Sequence, residues 1–229
     1  MTRGLVFDLD DTLYPERRFA LSGFRAVADH VAETFGSNRC AVFQSLWRSL
    51  RAGRRASGFQ VASDEFALPA GAVEAMRDVY RAHVPSLRLP ASSRAVLARA
   101  RASWRVGILT NGLPDIQRRK VQALGVEDLV DAVVYAQETG GGKPEAAAFR
   151  AICAALGVPV SQSVMTGDDP WCDIDGGRRA GLRVIRICRG IHRHVSTGET
   201  GPADVTVEHL ASVPSEAARL IQEGERRAD

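Results

Sequence analysis

The sequence predicts an α/β protein, a parallel sheet with helices on both faces and an inserted all-helical segment. Three observations predict it. Short apolar runs alternate with helical stretches from residue 104 onward, the pattern of βαβ units. One more apolar run, Gly4-Leu5-Val6-Phe7, stands near the start and ends abruptly in carboxylates at 8, 10 and 11. Between these two regions, residues 15–88 show helical periodicity and no strand pattern.

Each element has its own signal. The run at 4–7 has no polar alternation, as in a strand buried on both faces. Apolar residues at 24, 27, 31 and 35, at 42, 43, 46, 47 and 50, and at 73, 76, 79, 80 and 84 recur at helical spacing. The Arg51, Arg54 and Arg55 stretch, with its glycines, reads as a loop between two of these helices. A further helix falls near 91–102. Residues 104–109 form a strand that runs into Thr110-Asn111-Gly112. Residues 114–124 form a helix opened by Pro114 and stopped by Gly125. A strand at 132–136 leads to Gly140-Gly141-Gly142-Lys143-Pro144, and a helix follows over 144–156. A strand at 163–166 runs into Gly167-Asp168-Asp169-Pro170-Trp171-Cys172-Asp173. A helix over 173–180, a strand over 182–188, a short edge strand at 204–207 and a helix over 214–223 complete the chain, with a charged, frayed tail after about 224.

Composition bounds the function. The 229 residues suffice for one good-sized core, or for a core with a smaller insert. A net charge of +3, with scattered arginines, argues against nucleic acid as a partner. Cysteines 40, 153, 172 and 188 have no CxxC spacing and read as small buried residues with reduced thiols. The five histidines match no metal-binding spacing, and His192 and His194 read as surface residues. No run approaches the ~18 apolar residues of a membrane span, and the start shows no leader pattern. A soluble, cytoplasmic protein is the expectation.

A buried strand that ends in carboxylates marks a site, because unpaired buried charge is costly. Ligands of open parallel sheets bind just outside the carboxyl ends of the strands. Asp8 and Asp10, two residues apart, can together hold a hard cation, attack an electrophile and move protons. Thr110 and Asn111 follow a buried strand where a helix begins, and the free amides and positive helix end there favour an anion. Lys143 is one of only two lysines, with Lys120, in an arginine-rich chain, so a compact ammonium is indicated. Asp168, Asp169 and Asp173 form an acidic cluster after the strand at 163–166.

Acid pair, hydroxyl, lysine and acid cluster, in this order, resemble the four motifs of the haloacid dehalogenase-like (HAD) hydrolase superfamily. The resemblance covers roughly residues 4–190. It implies a Rossmann-like core formed by 1–14 and 89–229, with 15–88 as a helical cap of the C1 type that helps choose the substrate. It implies that Asp8 is the nucleophile and that Asp10 is the general acid/base, its backbone carbonyl also binding metal. Thr110 and Asn111 would bind phosphate, and Lys143 would pair with Asp8 and the transferring phosphoryl group. Mg²⁺ would be held by Asp8, Asp10 and Asp168, with Asp173 and Asp169 acting through water or by orienting these ligands. Asp11 reads as a turn or capping residue, and helix capping is an additional role for Asp173. Trp171 reads equally as a pocket wall or as packing against the sheet.

The implied activity is Mg²⁺-dependent hydrolysis of a small-molecule phosphate monoester through an aspartyl-phosphate. A sugar-phosphate phosphomutase shares the motifs. A 2-haloacid dehalogenase would lack Asp10, and a non-catalytic interaction module would have lost motif residues.

Overall fold

Apolar runs too short to bury a helical face become strands here, and their pairing sets the architecture. The computed structural model describes residues 2–54, 56–196 and 201–228; Arg55 lies outside them. In chain order, β1 (Gly4–Phe7) is followed by four helices, α1 (Arg17–Phe35), α2 (Arg39–Arg51), α3 (Gly58–Glu65) and α4 (Ala72–Ala82). After α5 (Ala91–Ala100), the chain alternates through β2 (Arg105–Thr110), α6 (Pro114–Leu124), β3 (Ala132–Tyr135) and α7 (Ala146–Leu156). It ends with β4 (Ser163–Gly167), α8 (Gly176–Arg179), β5 (Arg183–Ile187), β6 (Val205–Val207) and α9 (Val213–Ala228). The chain divides into two compact units, Met1–Glu16 with Arg88–Asp229, and Arg17–Leu87.

The first unit holds one six-stranded sheet in the order β3-β2-β1-β4-β5-β6. Every pairing is parallel. β1 is central, with Phe7 opposite Ile108 on one side and Thr166 on the other. Because the strand order reverses between β1 and β4, a crevice opens at their carboxyl ends. Parallel units cross over right-handedly as a rule, which puts the helices of the two directions on opposite faces. On one face Val6, Leu109, Met165 and Val184 pack with Phe149, Ile152 and Leu156 of α7. Leu5 and Phe7, out of phase with Val6, point to the other face and are fully buried. The predicted fold class therefore holds, and α6 has the predicted limits because Pro114 and Gly125 punctuate it locally.

The helical unit packs α1 against α2 and α4. Its core contains Phe24, Val27, Val31, Leu46 and Met76. Asn38 caps α2, its side-chain oxygen accepting the Ala41 amide at 3.0 Å. Gly23 is required where the Tyr80 ring lies, since a Cβ there would collide with the ring.

Four local expectations are corrected. The 173–180 helix is instead a π-helical turn, Pro170–Asp175, followed by one turn of α-helix. Such a widened turn holds an extra residue that apolar spacing does not register. α7 begins at Ala146 rather than at 144, because the glycine turn continues through Glu145, whose amide bonds the Gly142 carbonyl. The last helix does not stop at 223, as α9 continues to Ala228. Val84 is 87% exposed, beyond the end of α4, and so is not part of its apolar stripe.

Cysteine burial also differs from expectation. Cys153 is buried, but Cys40 is exposed and Cys172 and Cys188 are intermediate; all four are free thiols. Among the described residues, no helix is long and apolar enough to cross a membrane.

Candidate active site

The carboxyl ends of β1 and β4 deliver Asp8 and Asp168 to the crevice where the strand order reverses. Asp8 is still tied to the sheet, its amide donating to the Thr166 carbonyl at 2.9 Å. Lys143 arrives from the β3–α7 connection. Gly140, Gly141 and Gly142 precede it with φ of 94°, 135° and 81°, a left-handed run open to glycine but strained for other residues. The Lys143 Nζ donates to Asp8 Oδ1 and to Asp173 Oδ1, each at 2.6 Å. All three side chains are buried.

Ligand oxygens of Asp8, Asp168 and Asp173 lie within 4.8 Å of one another. Three buried acids thus face one lysine. Burial, with the charges of Asp173 and Asp10, outweighs Lys143 and pushes Asp8 up to about 7. Burial likewise pushes Asp168 up to about 6, with the Asp8 and Asp11 charges adding and His192 opposing. Asp173 is also raised, chiefly by burial. Burial alone would lower Lys143, but Asp173 and Asp8 overcome it, so its ammonium stays charged. A surplus of hard oxygen donors suits a divalent cation, which would relieve the excess negative charge.

Asp10 has a separate environment. Lys120 Nζ reaches both its oxygens, at 2.9 and 2.8 Å. Tyr14 OH donates to Oδ1 at 2.6 Å, and Gln117 Nε2 donates to Oδ2 at 3.0 Å. Burial opposes ionisation, yet the Lys120 charge and these hydrogen bonds hold Asp10 below the usual carboxylate range. Lys120, Gln117 and Tyr14 were not foreseen as site residues. The available signal was a buried polar pair three residues apart on the same face of α6 as Val121 and Leu124.

Thr110 is buried at the end of β2, and its hydroxyl has no hydrogen-bond partner among the described residues. Asn111 clamps the lysine loop instead of facing outward. Its Nδ2 donates to the Lys143 carbonyl and its Oδ1 accepts the Lys143 amide, both at 2.8 Å. The Gly112 amide, expected to be open to an anion, donates to Gln137 Oε1 at 3.1 Å.

In the acidic cluster, Asp169 is the helix cap rather than Asp173. Its Oδ1 accepts the Trp171 and Cys172 amides, each at 2.9 Å. Asp173 spends its second oxygen on the Asp169 amide at 3.1 Å. Gly167 is required beside it, as any Cβ there would collide with Asp173. Asp11 has a turn role, with φ of 55° and its side chain accepting the Glu16 amide at 2.9 Å.

Residues 2–181 match the family described as haloacid dehalogenase-like hydrolase. The chain belongs to that family. A phosphoserine phosphatase of Thermus thermophilus is 36% identical over 125 residues, covering 53% of this chain and 50% of that protein. A glyceraldehyde 3-phosphate phosphatase of Methanopyrus kandleri is 29% identical, covering 83% of this chain and 85% of that one. A ribulose-1,5-bisphosphate 5-phosphatase of Halopiger xanaduensis is 30% identical, with 81% and 84% covered. Among solved structures, a 2-haloacid dehalogenase of Pseudomonas syringae superposes with a TM-score of 0.67 at 23% identity, covering 96% and 100%. A HAD phosphatase of Thermococcus onnurineus gives 0.62 at 21%, covering 94% and 97%. Both branches of HAD-like hydrolases thus share this fold, and the fold alone does not choose between their chemistries.

Two outlying predictions resolve differently. His192 is not a plain surface residue. Its Nδ1 lies 3.1 Å from Asp168 Oδ2, and its ring meets Trp171 edge-on at 5.9 Å between centroids. The Asp168 contact, more than any other cause, raises its pKa. The buried Arg186 fixes the loop by donating to the His192 carbonyl at 2.8 Å. His194 is exposed, as expected, and Trp171 is 41% exposed rather than packed into the core. In the helical unit, Arg51 and Arg54 are exposed.

Proposed function

We propose that this HAD-like hydrolase is a Mg²⁺-dependent phosphatase that cleaves a small-molecule phosphate monoester through an aspartyl-phosphate on Asp8. The observation that carries this reading is Lys143 buried between Asp8 and Asp173, with Asp168 beside them, at the reversal point of the sheet. The phosphatase names of relatives aligned over more than four-fifths of their length support it.

A cation held by Asp8, Asp168 and the Asp10 carbonyl would neutralise the approach of a phosphate dianion to these acids. The Asp8 carboxylate attacks phosphorus as the ester P–O bond breaks. Asp10 is ionised in the free site, so the proton it gives to the departing alkoxide is taken up from solvent as substrate binds; it then takes one from the water that hydrolyses the acyl phosphate. Lys143 orients Asp8, opposes the burial that favours its protonated form, which a bound cation would overcome, and offsets charge on the transferring group. The unpartnered Thr110 hydroxyl is suited to donate to a phosphoryl oxygen. Asn111 acts by holding the lysine loop. The helical unit, as a cap, contributes to the choice of ester, and the relatives' substrates point to a small phosphorylated metabolite.

Phosphate release across a panel of phosphorylated metabolites, with Mg²⁺ and with excess chelator, tests the reading. Asp8→Asn is isosteric and should abolish turnover while leaving the fold intact. Substantial turnover by folded Asp8→Asn would sink the covalent route.

A further inference from the structure

Asp10 is gripped more completely than a freely moving proton carrier requires. Its two oxygens accept from three side chains, and two of these come from one face of α6. Lys120, with its side chain 4% exposed, meets both oxygens and so defines the plane of the carboxylate. Gln117, one turn earlier on α6, bonds Asp10 Oδ2 and also donates to the Asn111 carbonyl at 2.5 Å. The same amide nitrogen therefore links Asp10 to the loop whose Asn111 clamps Lys143. Tyr14 closes the cage from the β1 side. A lysine buried this far is placed for a partner, because an uncompensated ammonium would be costly there.

We infer that Lys120 is a positioning residue for the proposed hydrolysis, fixing the Asp10 carboxylate relative to the reacting ester through its two hydrogen bonds. Lys120 acts on the reaction only through Asp10. This inference rests on the phosphatase reading and deepens it. Proton transfer by a positioned group is worth about 10²–10⁴-fold in rate. Misplacement by about 1 Å can remove about 10²-fold of that.

The test is a double-mutant cycle, with Mg²⁺, on the alkyl phosphate ester turned over fastest in the metabolite panel, since an alkoxide leaving group needs the proton from Asp10. Folding of each variant is checked by circular dichroism. Lys120→Met should lower kcat by about 10–10²-fold with KM nearly unchanged. In the Asp10→Asn background the same change should lower kcat no further, because the group it positions is already gone. Equal fold losses in both backgrounds would overturn the inference, as would full activity of Lys120→Met. If Lys120→Met fails to fold, Lys120→Gln keeps a donor beside Asp10 but not the double contact, and carries the same cycle with a smaller loss. Asp8→Asn separates the two levels of the argument. If it is inactive, additive losses in the cycle sink the positioning role alone. If it turns over, the phosphatase reading and this inference fall together.

Discussion

The crowding of acids around Lys143 makes a thermodynamic prediction that needs no substrate. In the folded chain Asp8 is pushed from 3.8 to about 7, mainly by burial. The folded state therefore holds this proton more tightly than the unfolded state does. The Asp8 contribution to stability should be greatest below about pH 4, fall as pH rises through 3.8 towards 7, and level off above. At about 1.36 kcal/mol per pH unit, the Asp8 contribution is about 4 kcal/mol. Asp168, raised to about 6, adds a penalty of the same sign. Mg²⁺ competes with protons for these oxygens, so it should restore stability near pH 8 and do little near pH 4. At about a hundredfold over its Kd, a bound ion stabilises by about 2.7 kcal/mol. For a chain of this size that is a rise in Tm of about 5–10 °C. The assay is thermal unfolding by circular dichroism in chelator and in Mg²⁺, from about pH 4 to pH 8. A flat Tm across that range in chelator, with no rise on adding Mg²⁺ at high pH, would refute the reasoning. Asp168→Asn should abolish most of the Mg²⁺ response.

Other perturbations separate structure from chemistry. Lys143→Met strands two buried carboxylates and should destabilise the chain by about 3–5 kcal/mol at neutral pH, less in acid, as read by urea unfolding; unchanged stability would remove Lys143 as the hub of the site. Ca²⁺ in place of Mg²⁺ should leave the enzyme nearly inactive, because its larger, looser coordination misplaces the nucleophile; equal rates with both ions would refute this. Replacing Arg51, Arg54 and Arg55 together by Ala should lower kcat/KM on the best metabolite ester but spare 4-nitrophenyl phosphate. Unchanged values on both would return these arginines to solvent.

The sequence by itself determined what depends on near neighbours. The apolar runs of β1, β2 and β4 and the Pro and Gly punctuation of α6 are local signals, and they were legible because periodicity and turn chemistry act over a few residues. The acids at the ends of β1 and β4 were legible too, since a buried strand does not end in carboxylates without a partner. That partner had to be met in space. Lys143 is 135 residues from Asp8, and Lys120 is 110 from Asp10. The family resemblance paired Lys143 with Asp8, but no signal told that Lys120 serves Asp10. The π-helical turn, Asp169 as its cap and His192 against Asp168 likewise arose where separate strand ends converge. Only the tertiary structure decided the pairings of Lys120 with Asp10 and of His192 with Asp168, because Coulomb energy and desolvation follow distance through space rather than distance along the chain.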